Sequence, residues 1–176
     1  MKAAYQGAPG AFGHLACLTF LPGCEPVAFP TFGDVIAAVE RGDAERGILP
    51  LENNEAGATG AQALIDASTL AVIAEHDLPV RMHLLGLPGT TLDQIRTVVS
   101  HPIALKQCAR TLARLDLATD ETSNTAIAAQ QLSNPSRAVL ASEAAAEAYG
   151  LTILVRDVHD RSDNSTRFAV LARKEA

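Results

Sequence analysis

Short apolar runs alternate with helix-like segments along nearly the whole chain, and this rhythm limits the fold more than any other feature. "KAAYQ" reads as a strand, "GHLACLTFL" as a helix and "EPVAF" as a strand. "TFGDVIAAVERGD" follows as a helix in which Phe32, Val35, Ile36 and Val39 share one face and Gly42 ends the turn. "RGILPL" is a strand, "GAQALIDAS" a helix and "LAVIAEHDL" a strand, with "VRMHLLGL" continuing extended. The second half repeats the habit. "IRTVVS" is a strand, and "PIALKQCARTLARL" is a single helix opened by Pro102. "DLATDE" and "RAVLAS" are strands, each followed by a helix, "NTAIAAQQL" and "EAAAEAYG". "LTILVRDV" and "TRFAVLAR" close the chain as strands. Such alternation implies an α/β architecture with mainly parallel sheets and helices on both faces.

A chain of 176 residues suits one ordinary domain or two small lobes. Hydrophobic content of 48% against 19% charge is that of a globular protein. With 4% aromatic residues and no Trp, the core has to be built from Val, Leu, Ile and Ala. A net charge of −6 without a Lys/Arg cluster argues against a nucleic-acid partner, because phosphate binding needs a basic face. The opening "MKAAYQGAPGAFG" is no signal peptide, and the apolar runs fall short of a membrane span, so no membrane partner is expected. Cys17, Cys24 and Cys108 are odd in number and lack CxxC spacing, which favours small buried thiols in a reducing cytoplasm.

Parallel α/β sheets bind ligands beyond the carboxyl ends of their strands, which directs attention to particular loops. In "QGAPGAFGH", Gly7, Gly10 and Gly13 permit a tight turn at a helix start, either an anion cradle or a plain turn. In "ENNEAG", Glu52, Asn53 and Asn54 sit where a strand stops, lining a crevice or forming an Asx-type turn. In "SHPIALKQC", Ser100 or His101 caps a helix, with a general acid–base role for His101 as the alternative. Thr122, Ser123, Asn124 and Thr125 form another polar helix entrance. Near the end, Asp163-Asn164-Ser165-Thr166-Arg167 stops abruptly at Phe168 and an apolar strand. Arg167 offers either a two-pronged grip on a carboxylate or a surface ion pair.

Taken together, these blocks resemble the catalytic domain of prephenate dehydratase. "GAPGAFGHLA" is similar to that family's glycine-rich block, "GILPLENNEAG" to its Glu-Asn-Ser block, and "SHPIALKQC" to its Ser-His-Pro segment. "NTAIAA" is similar to its Thr-Ala block, and "DNSTRF" carries its Asn-x-Thr-Arg-Phe signature intact. Ala11, Gly13, Asn54 and Ile103 depart from the family pattern, which bears on the choice among related substrates. The resemblance implies a two-lobed fold like the type 2 periplasmic binding proteins, with an interlobe cleft. Lobe one would be residues 1–78 plus 159–176 and lobe two 79–158.

It also implies decarboxylative dehydration of prephenate to phenylpyruvate in phenylalanine biosynthesis, without metal or redox cofactor. Alternatives are dehydration of arogenate, decarboxylation of prephenate without aromatisation, or a non-catalytic two-lobed binding protein. Thr166 would protonate the departing hydroxyl, and Arg167 would grip the pyruvyl carboxylate or orient Thr166. Asn53, Asn54, Ser100, His101, Thr125 and Asn164 would contact the substrate, with Phe168 packing beneath. A homodimer is expected from the same resemblance. No counterpart of the family's phenylalanine-sensing ACT module is expected, nor control through such a module.

Overall fold

The computed structural model describes residues 1–123 and 125–174. In chain order the strands are β1 (Lys2–Gln6), β2 (Glu25–Phe29), β3 (Arg46–Asn53), the short β4 (Gly57–Ala58), β5 (Leu70–Pro79), β6 (His83–Gly86), β7 (Thr97–Ser100), β8 (Ala118–Glu121), β9 (Arg137–Ala141), β10 (Thr152–Val155) and β11 (Ser165–Arg173). The helices are α1 (Phe12–Phe20), α2 (Phe32–Arg41), α3 (Ala61–Asp66), α4 (Pro102–Gln107), α5 (Ala109–Arg114), α6 (Thr125–Gln130) and α7 (Glu143–Tyr149). The expected alternation of strand and helix is present, with one division: the helix read over "PIALKQCARTLARL" breaks at Cys108. Asp160 supplies the reason, because its carboxylate accepts the N–H groups of Arg110 (2.9 Å) and Thr111 (3.1 Å) and so caps a new helix start.

The chain divides into two compact units. The first holds residues 1–8, 12–79 and Asn164 onward; the second holds Pro9–Ala11 and Val80–Asp163. Residues 159–163, placed with the first lobe by sequence, group with the second unit through the Asp160 bonds to α5.

Each unit carries one sheet, of order β2-β1-β3-β11-β5 in the first and β10-β6-β9-β7-β8 in the second. Both are mixed rather than mainly parallel. β2-β1-β3 and β8-β7-β9 are parallel trios joined by helical crossovers. β11 and β6 have no such crossover and run antiparallel to both of their neighbours. The strand that follows β10 thus sits between β3 and β5, and the strand that follows β5 sits between β9 and β10.

Period-two alternation sorts the first unit's core. Leu49, Ala169 and Leu171 face Val35, Ile36 and Val39 of α2 and Ile65 of α3. Their neighbours Ile48, Phe168 and Val170 face Tyr5, Leu78 and Cys17 of α1. At Gly47 a Cβ would stand 3.1 Å from Val39, so glycine here lets α2 lie close against β3. Thr31 and Asp34 close a capping box at the start of α2, and Gly42 ends it in the left-handed region. In the second unit Leu85, Val139 and Ala141 pack beneath α6 and α7 through Ala129, Ala145 and Ala146. Alanines there let thin helices sit close to the sheet.

Two segments of the second unit are stitched by imidazoles. Buried His83 accepts the Asp157 N–H at Nδ1 (3.0 Å), and His159 Nδ1 accepts the Met82 N–H (3.4 Å). The Val158 N–H donates to the Met82 carbonyl (2.9 Å), while Asp157 is held at a φ of 51° and pairs with Arg81 at 3.3 Å. Desolvation lowers the pKa of His83 against the opposing pull of Asp157 and Glu143. A histidine depressed in the folded state contributes stability above its ordinary value of about 6.5 and loses it as pH falls through the folded value. His83→Asn, whose Oδ1 accepts but does not titrate, is expected to flatten the fall in melting temperature between about pH 7 and about pH 5. An unchanged slope would show that His83 contributes nothing to acid sensitivity.

Candidate functional site

In the first unit, the carboxyl ends of β1, β3 and β5 and the start of β11 meet at one rim of the sheet. Asn53, the last residue of β3, opposes Thr166 on β11. The Asn53 side chain has a fixed sense. Its Oδ1 accepts the N–H groups of Glu55 (3.0 Å) and Ala56 (2.9 Å), so its Nδ2 points across to β11. There Nδ2 donates to Asn164 Oδ1 (2.8 Å), the Ser165 carbonyl (3.0 Å) and Thr166 Oγ1 (2.9 Å). One amide thereby ties three successive residues, and Thr166 Oγ1 is made an acceptor on that side. Its own proton is directed elsewhere.

Thr166 is 8% exposed and Asn164 3%. Because Asn53 fixes Asn164 with Oδ1 inward, the Asn164 Nδ2 is left buried without a hydrogen-bond partner among the described residues. A buried unpaired amide is costly, and such exceptions concentrate where a water or ligand is bound. Asn54 binds Ser165 at both main-chain groups: its N–H donates to the Ser165 carbonyl (3.1 Å), and its Oδ1 accepts the Ser165 N–H (3.0 Å).

Arg167 stands apart from this cluster. Adjacent strand residues point to opposite faces, so its side chain leaves the face that Thr166 and Phe168 share. Its Nε lies 3.1 Å from Asp77, directly opposite on β5, and both side chains are more than half exposed. Of the readings open for Arg167, the geometry shows the surface ion pair and not a grip beside Thr166. Phe168 is 1% exposed within the core cluster, below the site and away from any ligand-accessible surface.

The second unit presents a rim of its own at the carboxyl ends of β7, β8 and β9. Ser100 is wholly buried, and its hydroxyl donates to the Leu140 carbonyl (3.2 Å), so it holds β7 against β9. His101 is the N-cap of α4, with Nδ1 accepting the Ile103 N–H (3.2 Å). Thr125 opens α6 and is half-buried; Asn124 lies outside the described residues.

Two residues passed over in the sequence also stand at these rims. His14, in the first turn of α1, stacks on Tyr5 with ring centroids 5.4 Å apart, and burial lowers its pKa. A histidine directly after a glycine-rich loop was the signal available. Ser142 caps α7 by accepting the Ala145 N–H (3.1 Å) and donates to the Gly10 carbonyl (2.5 Å). Gly10 has a φ of 85° and its added Cβ would stand 2.5 Å from the Ala145 Cα, so the tip of the first loop needs glycine.

Comparison with known proteins gives the same direction. The family model described as prephenate dehydratase matches residues 3–176. An arogenate dehydratase/prephenate dehydratase of Arabidopsis thaliana is 39% identical, over 99% of this chain and 47% of its own length. A bifunctional N-acyl-homoserine lactone acylase/prephenate dehydratase of Komagataeibacter europaeus is 38% identical, over 98% of this chain and 63% of its own. The chain thus spans about half the length of the plant relative. The crystal structure of prephenate dehydratase in complex with L-Phe from Arthrobacter aurescens aligns with a TM-score of 0.91 and 26% identity, over 100% of this chain and 61% of that one.

Proposed function

The chain belongs to the prephenate dehydratase family, and from that premise we propose that it converts prephenate to phenylpyruvate, with the hydroxyl of Thr166 as proton donor. The observation that carries the reading is the Asn53 amide donating into Thr166 Oγ1 at 2.9 Å. A threonine is a weak acid, so it helps only if its proton is aimed and its oxygen is stabilised as the proton leaves. Asn53 supplies both.

In the proposed step the bond between the ring carbon and the ring hydroxyl breaks as that oxygen takes the Thr166 proton and leaves as water. The electron pair of the ring–carboxylate bond moves into the ring, carbon dioxide departs and the ring becomes aromatic. One proton is consumed, and solvent restores it to Thr166. Asn164 is a donor for a substrate oxygen, and Asn53 orients the hydroxyl. Arg167 acts through the strand: its pair with Asp77 pins β11 to β5 beside the hydroxyl.

Arogenate is the second reading, supported by the plant relative whose name carries both activities. It bears an amine where prephenate bears a keto group and gives phenylalanine directly. No helix among the described residues is long and apolar enough to cross a membrane. Cys17, Cys24 and Cys108 form no disulfide among the described residues and two of them are buried, which supports residence in a reducing compartment such as the cytoplasm. A homodimer completes the proposed assembly.

The deciding experiment incubates the protein with prephenate and with arogenate at neutral pH and identifies the products by chromatography. Phenylpyruvate from prephenate is the expected result. Phenylalanine from arogenate alone would move the assignment to the second reading. Binding without turnover would leave a sensor, and a non-aromatic product would indicate decarboxylation alone.

A further inference from the structure

We propose that Asn54 is a positioning residue for the Thr166 hydroxyl, acting through the main chain of Ser165 rather than on the substrate. This inference rests on the assignment of Thr166 as proton donor. Position 54 is one at which this chain departs from the Glu-Asn-Ser pattern, and the longer side chain has a use here. β3 ends at Asn53, and the next residues turn away, with Glu55 and Ala56 bonded to Asn53 Oδ1. The pairing of β3 with β11 nonetheless extends one residue further. The Asn54 N–H donates to the Ser165 carbonyl, and the reciprocal bond to the Ser165 N–H comes from the Asn54 side chain, at 3.1 and 3.0 Å. Asn53 Nδ2 meets the same carbonyl at 3.0 Å, and the Ser165 hydroxyl donates to Leu78 on the other neighbouring strand at 3.3 Å.

Ser165 is therefore fixed from both sides, and Thr166 is the next residue. Of these bonds, only the one at the Ser165 N–H depends on the identity of residue 54. Without it the first residue of β11 is held by its carbonyl and hydroxyl alone, its N–H loses the Asn54 side chain, and the hydroxyl of Thr166 loses its aim while the groups that bind substrate stay in place. A displacement of about 1 Å at a reacting group costs up to ~10²-fold in rate.

Asn54→Ala is expected to lower kcat by roughly tenfold with KM changed less than about twofold. Asn54→Asp, which keeps an acceptor at the same reach, is expected to restore kcat to within about threefold of the parent. Hydrogen exchange of the Ser165 and Thr166 amides provides the independent readout: faster in Asn54→Ala, restored in Asn54→Asp. Unchanged kcat in Asn54→Ala, a loss confined to KM, or failure of Asn54→Asp to restore the rate would overturn the proposal. If Asn54→Ala does not fold, Asn54→Ser takes its place with the same expectations. Should the parent protein turn over neither prephenate nor arogenate, the assignment of Thr166 fails. The exchange rates then decide the Asn54 contact alone, and unaltered exchange in Asn54→Ala would overturn that too.

Discussion

Thr166→Ala is expected to cut turnover of prephenate by ~10²–10⁴-fold while leaving substrate affinity within a few-fold of the parent. The fold should survive the change. The Asn53 amide keeps two of its three acceptors, Asn164 Oδ1 and the Ser165 carbonyl, so β11 stays tied to the end of β3. What disappears is the hydroxyl proposed as proton donor, whose oxygen accepts the Asn53 amide at 2.9 Å. Thr166→Ser should recover much of the rate because it restores that group. Single-turnover kinetics with calorimetric binding separates the two effects. Turnover close to the parent's in Thr166→Ala would remove the hydroxyl from the mechanism. The neighbouring Arg167→Lys makes the contrast: with its partner Asp77 on the exposed face, it should change kcat little.

Phe168→Ala is expected to be the most destabilising single change on β11. The ring is 1% exposed and packs with Tyr5, Ile48, Leu78 and Val170 beneath α1. Truncating a buried phenylalanine costs about 3–5 kcal/mol, because the surrounding side chains close the cavity only partly. In a chain of this size that is a fall in melting temperature of roughly 6–20 °C. Thermal unfolding followed by circular dichroism measures it. A fall of only a degree or two would mean that the site's floor repacks and that the ring does not anchor the strand carrying Thr166.

Most elements were legible because their signals are local. Apolar residues of α2 at helical spacing and the Gly42 stop lie within one stretch of sequence, and the structure places the helix there. The break at Cys108 was not legible, because the carboxylate that starts α5 comes from Asp160, about fifty residues away in the chain. Strand direction was equally hidden. "TRFAVLAR" looks the same whether it runs with or against its neighbours, and only the absence of a helical crossover decides. At the site, the polar cluster at the mouth of β11 is visible, yet the sequence reading sets Arg167 beside Thr166, to grip a carboxylate or to orient the hydroxyl. Alternation in a strand already separates adjacent side chains, so the sequence contained the reason that the two face different ways. The Asx-type turn at Asn53 is among the readings the sequence leaves open, but the acceptors that its Nδ2 meets on β11 are not accessible there, since they lie more than a hundred residues along the chain.

The return of β11 to the first sheet decides how this protein can be cut. A fragment stopping at Pro79 would leave β3 and β5 flanking a vacant lane, because residues 165–173 fill it. A piece covering only the last third would lack β6, and with it the link between β9 and β10. The stretch Val80–Asp163 holds all five strands of its own sheet, whereas the first sheet needs β11, so a nick at either passage would yield two pieces that must reassociate to complete the first sheet.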